Sequence, residues 1–248
     1  MIIVIVRSLC WYVHLLFSMA GTVLKLPIWR KKQKTDAADA DAYAYNVAKK
    51  FSVAQFVFSG SKLEIEGAAH VPEEGAVLFV ANHQSNFDFA VLLGYVPRAK
   101  GFIAKVELAK IPVLVTWMRG IHCVFMDRTD MRQSAAAILE GIKKLKAGHC
   151  MVIFPEGTRS KDGTVAPFKA GSFKLATKAK VPIVPISLSG TAKIMEDNGG
   201  KIKPQTVRVV IHPPIPTADL AAEEVAALPE RVHAIVANGV EAAPCECN

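Results

Sequence analysis

The chain has 248 residues, a net charge of +8, 51% hydrophobic residues and a mean hydropathy of +0.27. That length buries a full core, as one domain or as one domain with an appendage. Five cysteines, Cys10, Cys123, Cys150, Cys245 and Cys247, are odd in number and scattered, which excludes a disulfide framework and a paired Cys-x2-Cys zinc pattern and fits a reducing cytoplasm.

Residues 1–29 are almost wholly apolar, broken only by Arg7, His14, Lys25 and a few small polar residues. As one helix they reach about 43 Å, enough to cross a bilayer core or to lie along its surface. Three readings compete: a spanning anchor, a re-entrant or interfacial helix, and a signal peptide with Arg7, Leu9 to Phe17 and Ser18-Met19-Ala20 as its three regions. The last is the weakest, because Met1 to Val6 carries no basic residue. Residues 1–60 hold eight basic residues against three aspartates, which is +5 of the net +8. Arg30-Lys31-Lys32-Gln33-Lys34 follows directly on Trp29, so the charge is tied to an apolar segment and suits the cytoplasmic face of a membrane better than a nucleic acid. Tyr43, Val47, Phe51, Ala54 and Phe58 recur at helical spacing and predict a second helix over 36–58, either core-facing or paired with 1–29 in a two-helix membrane unit.

From residue 61 the texture alternates. Lys62 to Glu66 reads as an edge strand and Ala76 to Ala81 as a buried one. Phe87 to Val96 reads as a helix, Lys100 to Ala104 as a strand, and Val106 to Met118 as a helix broken at Pro112. Ile121 to Met126 is a strand. Met131, Ala135, Ile138, Ile142 and Leu145 mark an amphipathic helix, capped by Thr129 or Asp130 and ended before Gly148. Cys150 to Phe154, Ile183 to Leu188 and Val207 to Ile211 are strands, and Gly171 to Lys178 is a helix. Leu220 to Ala227 and Pro229 to Asn238 read as two helices, with Pro229 at a tolerated first position. The expectation is an α/β fold with a mixed, largely parallel sheet flanked by helices over 61–248, preceded by membrane-associating helices over 1–60.

Polar residues follow several strands. After Ala76 to Ala81 come Asn82-His83-Gln84-Ser85-Asn86-Phe87-Asp88, which put a histidine at a strand end and an aspartate five residues on. Asp88 can fold back to take one imidazole N–H and leave the other nitrogen free as a base. The plain alternative is a capping aspartate at a helix start. Lys105 follows the third strand, Asp127-Arg128 the fourth, and Pro155-Glu156-Gly157-Thr158-Arg159-Ser160 the fifth. If these strands are mutually parallel, Lys105, Arg128 and Arg159 converge near His83 and describe a site that holds an anionic, phosphorylated substrate and removes a proton. Taken singly, each cation reads as an exposed surface charge.

Taken together, the motifs resemble the glycerolipid acyltransferases, and within them the 1-acylglycerol-3-phosphate acyltransferases. Asn82-His83 through Asp88 is similar to the family's His–Asp catalytic motif. Gly120-Ile121 through Asp127-Arg128 and Phe154-Pro155-Glu156-Gly157-Thr158-Arg159-Ser160 are similar to its two phosphate-site motifs. Lys105-Val106-Glu107-Leu108 and Val184-Pro185-Ile186 match two shorter blocks. The resemblance implies His83 as general base, Asp88 as its orienting partner, Lys105, Arg128 and Arg159 on the acceptor phosphate, and Asn82, Glu156, Gly157 and Thr158 as loop support. It implies lysophosphatidate as acceptor, an acyl carrier protein or coenzyme A thioester as donor, no cofactor, and a membrane location with the site at the cytoplasmic face. Ser85 lacks a Gly-x-Ser-x-Gly elbow and reads as a loop hydroxyl. The histidines are scattered without ligand spacing, so no metal is expected. Glycerol 3-phosphate or another lysolipid as acceptor, and a non-catalytic lipid-binding protein, remain as alternatives.

Overall fold

A computed structural model describes residues 2–240, so the Cys245-x-Cys247 pair lies outside the described residues. Three helices come first: α1 (Ile2–Val23), α2 (Leu26–Thr35) and α3 (Ala37–Phe58). The apolar stretch is thus bent rather than one straight rod. Pro27 is the cause: it has no N–H to continue the ladder, and its ring excludes the carbonyl one turn back, so the chain breaks at Leu24–Lys25 and restarts with Pro27 in the first turn. The basic cluster of residues 30–34 is carried on α2. Asp36 separates α2 from α3 and caps the latter, accepting from the amides of Ala38 at 2.9 Å and Asp39 at 3.2 Å.

The remaining elements are β1 (Lys62–Glu66), β2 (Leu78–Ala81), α4 (Phe87–Tyr95), β3 (Lys100–Lys105), α5 (Pro112–Gly120), β4 (Val124–Met126), α6 (Met131–Lys146), β5 (Cys150–Ile153), α7 (Lys174–Ala179), β6 (Ile183–Ser189), β7 (Thr206–Ile211) and α8 (Ala222–Gly239). The seven strands form one sheet in the order β1-β7-β6-β2-β5-β3-β4. Every pairing is parallel except β6 with β7. The carboxyl ends of β6, β2, β5, β3 and β4 therefore share one edge, as the sequence reading required.

Strand alternation decides which helices cover which face. Phe79, Ala81, Phe102, Val152, Val184 and Ile186 point into an apolar cluster with α1 to α5. Leu78, Val80, Ile103, Met151, Ile153 and Ile183 point into a second cluster with α6, α7 and α8. The N-terminal helices belong to the first cluster: Trp11, Trp29, Ala44, Val47 and Phe56 are buried in it beside sheet residues.

Several boundaries differ from the sequence reading; β2, for one, begins at Leu78 rather than Ala76. The strand expected from Ile121 begins at Val124, because His122 takes a left-handed turn (φ 61°) that no ladder accommodates. The helix expected over Gly171 to Lys178 is a 3-10 turn (Ala170–Phe173) followed by the short α7. The two expected C-terminal helices are one, α8, with Pro229 inside it. Proline removes a single hydrogen bond there, while Leu228, Val232 and Val236 stay on one buried face, so packing outweighs the lost bond. Asp130, rather than Thr129, caps α6, accepting from the Arg132 and Gln133 amides at 2.8 and 3.1 Å.

Candidate active site

The site lies at the shared carboxyl edge. Strand β2 runs between β6 and β5, and its end delivers Asn82 and His83. Asn82 is clamped to the neighbouring strand: its Nδ2 donates to the Leu188 carbonyl at 2.9 Å and its Oδ1 accepts from the Leu188 amide at 2.7 Å. This pair of hydrogen bonds to the β6 backbone sets where the chain leaves the sheet.

His83 is 8% exposed. Its Nδ1 lies 2.7 Å from Asp88 Oδ2, and the same oxygen accepts the backbone amides of Gln84 at 2.7 Å and Ser85 at 2.9 Å. Asp88 is fully buried in the first turn of α4. A carboxylate taking these amides accepts the Nδ1 proton, which leaves Nε2 with its lone pair. The ring stacks on Phe154 at 4.2 Å between centroids and meets the Phe89 ring edge-on at 5.7 Å. The aromatic walls restrict its rotation and exclude water from its faces. The local spacing that suggested a His–Asp pair is therefore realised in geometry.

Glu156 supports this loop from the next strand. Its Oε1 accepts the His83 amide at 2.6 Å and its Oε2 accepts the Ala166 amide at 3.0 Å. Burial pushes its carboxyl above the ordinary carboxylate range, against the two amide bonds that favour the charged form. The Ser160 amide adds a bond to the His83 carbonyl at 2.8 Å. The amides of residues 83–86 are all taken, by Glu156, Asp88, Asp88 and Glu196 respectively. None of the four is spare to hold an oxyanion.

The three cations are placed differently. Arg128 Nη1 donates to the carbonyl of Gly157, whose φ of 78° is a left-handed conformation that favours glycine. Burial lowers the Arg128 guanidinium, and the charge of Glu107 opposes this. Arg159 Nη1 donates to Glu196 Oε1 at 2.8 Å. Glu196 also accepts from Ser85 Oγ at 2.5 Å and the Asn86 amide at 2.9 Å, so Arg159 is linked to the His83 loop. Lys105 is exposed at the end of β3 and pairs with Glu107 at 2.7 Å; no contact among the described residues joins it to His83. Thr158 is exposed.

Two partners went unseen in the sequence. Thr191 Oγ1 donates to Asp88 Oδ1 at 2.5 Å, both residues being fully buried. It follows strand β6, so the rule that pointed to residues after β2 to β5 would have found it. Glu196 lies far along the chain, at the start of a 3-10 turn (Glu196–Asn198), and carried no signal.

An apolar cavity of about 500 Å³ opens between α1, α3, α4 and α5, with Trp11, Phe51, Phe89, Leu114, Trp117 and Met195 among its walls. Phe89 is shared between this wall and the His83 ring. A cluster with metal-ligand chemistry exists elsewhere, at Asp41, His122 and His149. The fold brings together histidines that looked scattered. The two rings stack at 3.6 Å, His122 Nε2 bonds Asp41 Oδ2 at 2.7 Å, and Lys144 Nζ lies 3.5 Å from His122 Nδ1. Stacked imidazoles do not aim their in-plane lone pairs at one ion, and the ammonium opposes a cation, so this is a hydrogen-bonded cluster.

Comparison with known proteins agrees with this geometry. A family profile described as Acyltransferase matches residues 62–189, just over half of the chain. The chain is 40% identical over 167 residues to the chloroplastic 1-acyl-sn-glycerol-3-phosphate acyltransferase BAT2 of Brassica napus, covering 66% of this chain and 48% of that protein. It is 35% identical over 177 residues to the human 1-acyl-sn-glycerol-3-phosphate acyltransferase alpha, covering 70% and 62%. The chain spans about half the length of the plant relatives it matches. The crystal structure of the 1-acyl-sn-glycerophosphate acyltransferase PlsC from Thermotoga maritima superposes with a TM-score of 0.82 at 32% identity, covering 96% of this chain and 95% of that one. A profile across the sheet that bears the site, joined to a fold match over nearly the full length of both chains, places the chain in the acyltransferase family, among the relatives of the 1-acyl-sn-glycerol-3-phosphate acyltransferases.

Proposed function

We propose that this chain moves a fatty acyl group from a thioester donor to the free sn-2 hydroxyl of 1-acylglycerol 3-phosphate, giving phosphatidate. The observation that carries this reading is the oriented His83, with one nitrogen held by Asp88 and the other without a hydrogen bond among the described residues, next to an apolar cavity that suits an acyl chain. His83 Nε2 takes the hydroxyl proton as the acceptor oxygen attacks the thioester carbonyl carbon. Collapse of the tetrahedral intermediate breaks the carbon–sulfur bond, and the proton passes to the departing thiolate. Asp88 keeps the tautomer and stabilises the imidazolium. Lys105, Arg128 and Arg159 hold the acceptor phosphate, so a large share of the rate comes from placing the hydroxyl. Asn82, Glu156, Gly157 and Thr158 shape the loops around these groups. No cofactor takes part, and the co-substrate is an acyl carrier protein or coenzyme A thioester.

The lipid nature of acceptor and product fits the N-terminal helices. The bent helical stretch Ile2–Thr35 is long and apolar enough to cross a membrane and is mostly unburied. Ile2, Ile3, Leu9, Leu16, Phe17 and Leu24 are exposed on it, next to the basic residues of α2. Residues 1–60 are the membrane-associating part and 61–248 the α/β acyltransferase part, with the site at the cytoplasmic face of the cell membrane. Nucleic acid is not a partner. The test offers labelled acyl thioester to detergent-solubilised protein with lysophosphatidate, glycerol 3-phosphate or a zwitterionic lysolipid. Transfer to lysophosphatidate is expected. Preference for another acceptor overturns the substrate, and no transfer from either donor overturns the reaction.

A further inference from the structure

We infer that Glu196 is a positioning residue for acceptor binding, which sets the orientation of the Arg159 guanidinium while tying it to the backbone beside His83; this rests on the function proposed above. The segment that follows β6 carries Thr191 and Glu196 across the carboxyl edge of the sheet. Thr191 fixes the Asp88 oxygen that His83 does not use. Glu196, with 21% of its side chain exposed, divides its two oxygens. Oε1 accepts from Arg159 Nη1 at 2.8 Å and from the Asn86 amide at 2.9 Å, and Oε2 accepts from Ser85 Oγ at 2.5 Å.

The guanidinium is engaged through Nη1 alone among the described residues. A planar fork with five N–H donors held at one corner keeps its remaining donors for a phosphate, with their direction already set. Without Glu196, Arg159 is a half-exposed side chain on a loop and loses rotamer freedom only when the acceptor binds. The segment itself is anchored from behind: Ile194 is fully buried, Tyr12 Oη donates to the Gly200 carbonyl at 2.8 Å, and the Ile202 amide donates to Ser8 Oγ at 2.9 Å. Helix α1, the apolar first helix, thus holds the strap that holds Arg159.

The test compares wild type, Glu196→Ala, Glu196→Gln, Arg159→Ala and the Arg159→Ala/Glu196→Ala double variant in the acyl-transfer assay with lysophosphatidate. Glu196→Ala is expected to raise KM about tenfold with kcat within about threefold. Glu196→Gln keeps an oxygen for Arg159 and Asn86, and is expected to recover part of that loss. In the Arg159→Ala background, removal of Glu196 is expected to change KM by less than about twofold, because the two residues act as one unit. A full, additive rise in the double variant, or a fall in kcat with KM unchanged, overturns the inference. Should Glu196→Ala melt far below wild type, Glu196→Gln decides on the same criteria. If wild type transfers to no acceptor, the proposed function falls by itself. Calorimetric binding of glycerol 3-phosphate to the same variants then decides Glu196: weakening to the level of Arg159→Ala supports it, and wild-type binding overturns it.

Discussion

The two ends of the sheet are both polar, and they are built to opposite purposes. At the amino end Lys100, 2% exposed, spends its ammonium on the Val96 carbonyl at 2.8 Å, the Leu92 carbonyl at 3.2 Å and the Tyr45 hydroxyl at 3.3 Å. It also lies over the rings of Tyr45 and Phe79. Nearby, Asp41, His122 and Lys144 bond in series. The Lys100 ammonium and the His122 ring both find partners within the described residues. At the carboxyl end His83 has one nitrogen committed to Asp88 and the other without a hydrogen bond among the described residues, and its neighbour Phe89 walls an apolar cavity. Burial of a titratable group is common to both ends. What separates them is an oriented ring nitrogen left without a protein partner among the described residues, beside a space a substrate can enter.

The sharpest way to break this comparison is to remove the uncommitted atom. His83→Ala is expected to lower kcat by about a thousandfold or more with little change in melting temperature, read by acyl transfer and calorimetry. Comparable loss of stability would make His83 a structural residue like Lys100. The reverse experiment is Lys100→Ala. It strands three acceptors and opens a void, and is expected to cost about 2–4 kcal/mol of stability in denaturant unfolding while the folded fraction keeps its specific activity. Burial pushes the Lys100 ammonium down from its ordinary 10.5 to about 7. Between pH 7 and 10 the unfolded chain therefore binds more protons at this site than the folded one, so stability rises with pH across that window. Lys100→Met is expected to flatten that rise.

Smaller effects sharpen the contrast. Ala48→Phe adds bulk to the cavity wall, and is expected to shift donor preference toward shorter acyl chains by about tenfold, measured by competition between thioesters of two lengths. Asp41→Ala breaks the bond to His122 at the amino end, where both groups keep some exposure. It is expected to change stability by less than about 1 kcal/mol and to leave transfer rates unaltered.

The sequence was most legible where the interactions are local or periodic. His83 and Asp88 are five residues apart, so the loop that joins a strand to a helix suffices to bring them together. Continuous apolar runs at β2 and β5 declared strands buried on both faces, and Thr129-Asp130 marked the start of α6, where Asp130 is the cap. These signals act within a few residues, where chain geometry leaves little choice.

The rest depended on which strands became neighbours. Placing β2 between β6 and β5 is what sets Thr191 against Asp88, Glu196 against Arg159, and Glu156 against the His83 amide. The same packing kept α8 continuous through Pro229 and gathered Asp41 of α3 with His122 and His149 from the turns before β4 and β5. By itself the sequence determined most of the strands and helices and the His83–Asp88 pair, because each is specified by residues close in the chain. The tertiary structure alone decided what holds that pair and its cations in place, because those contacts join residues up to about a hundred positions apart, and no local pattern encodes a partner at that distance.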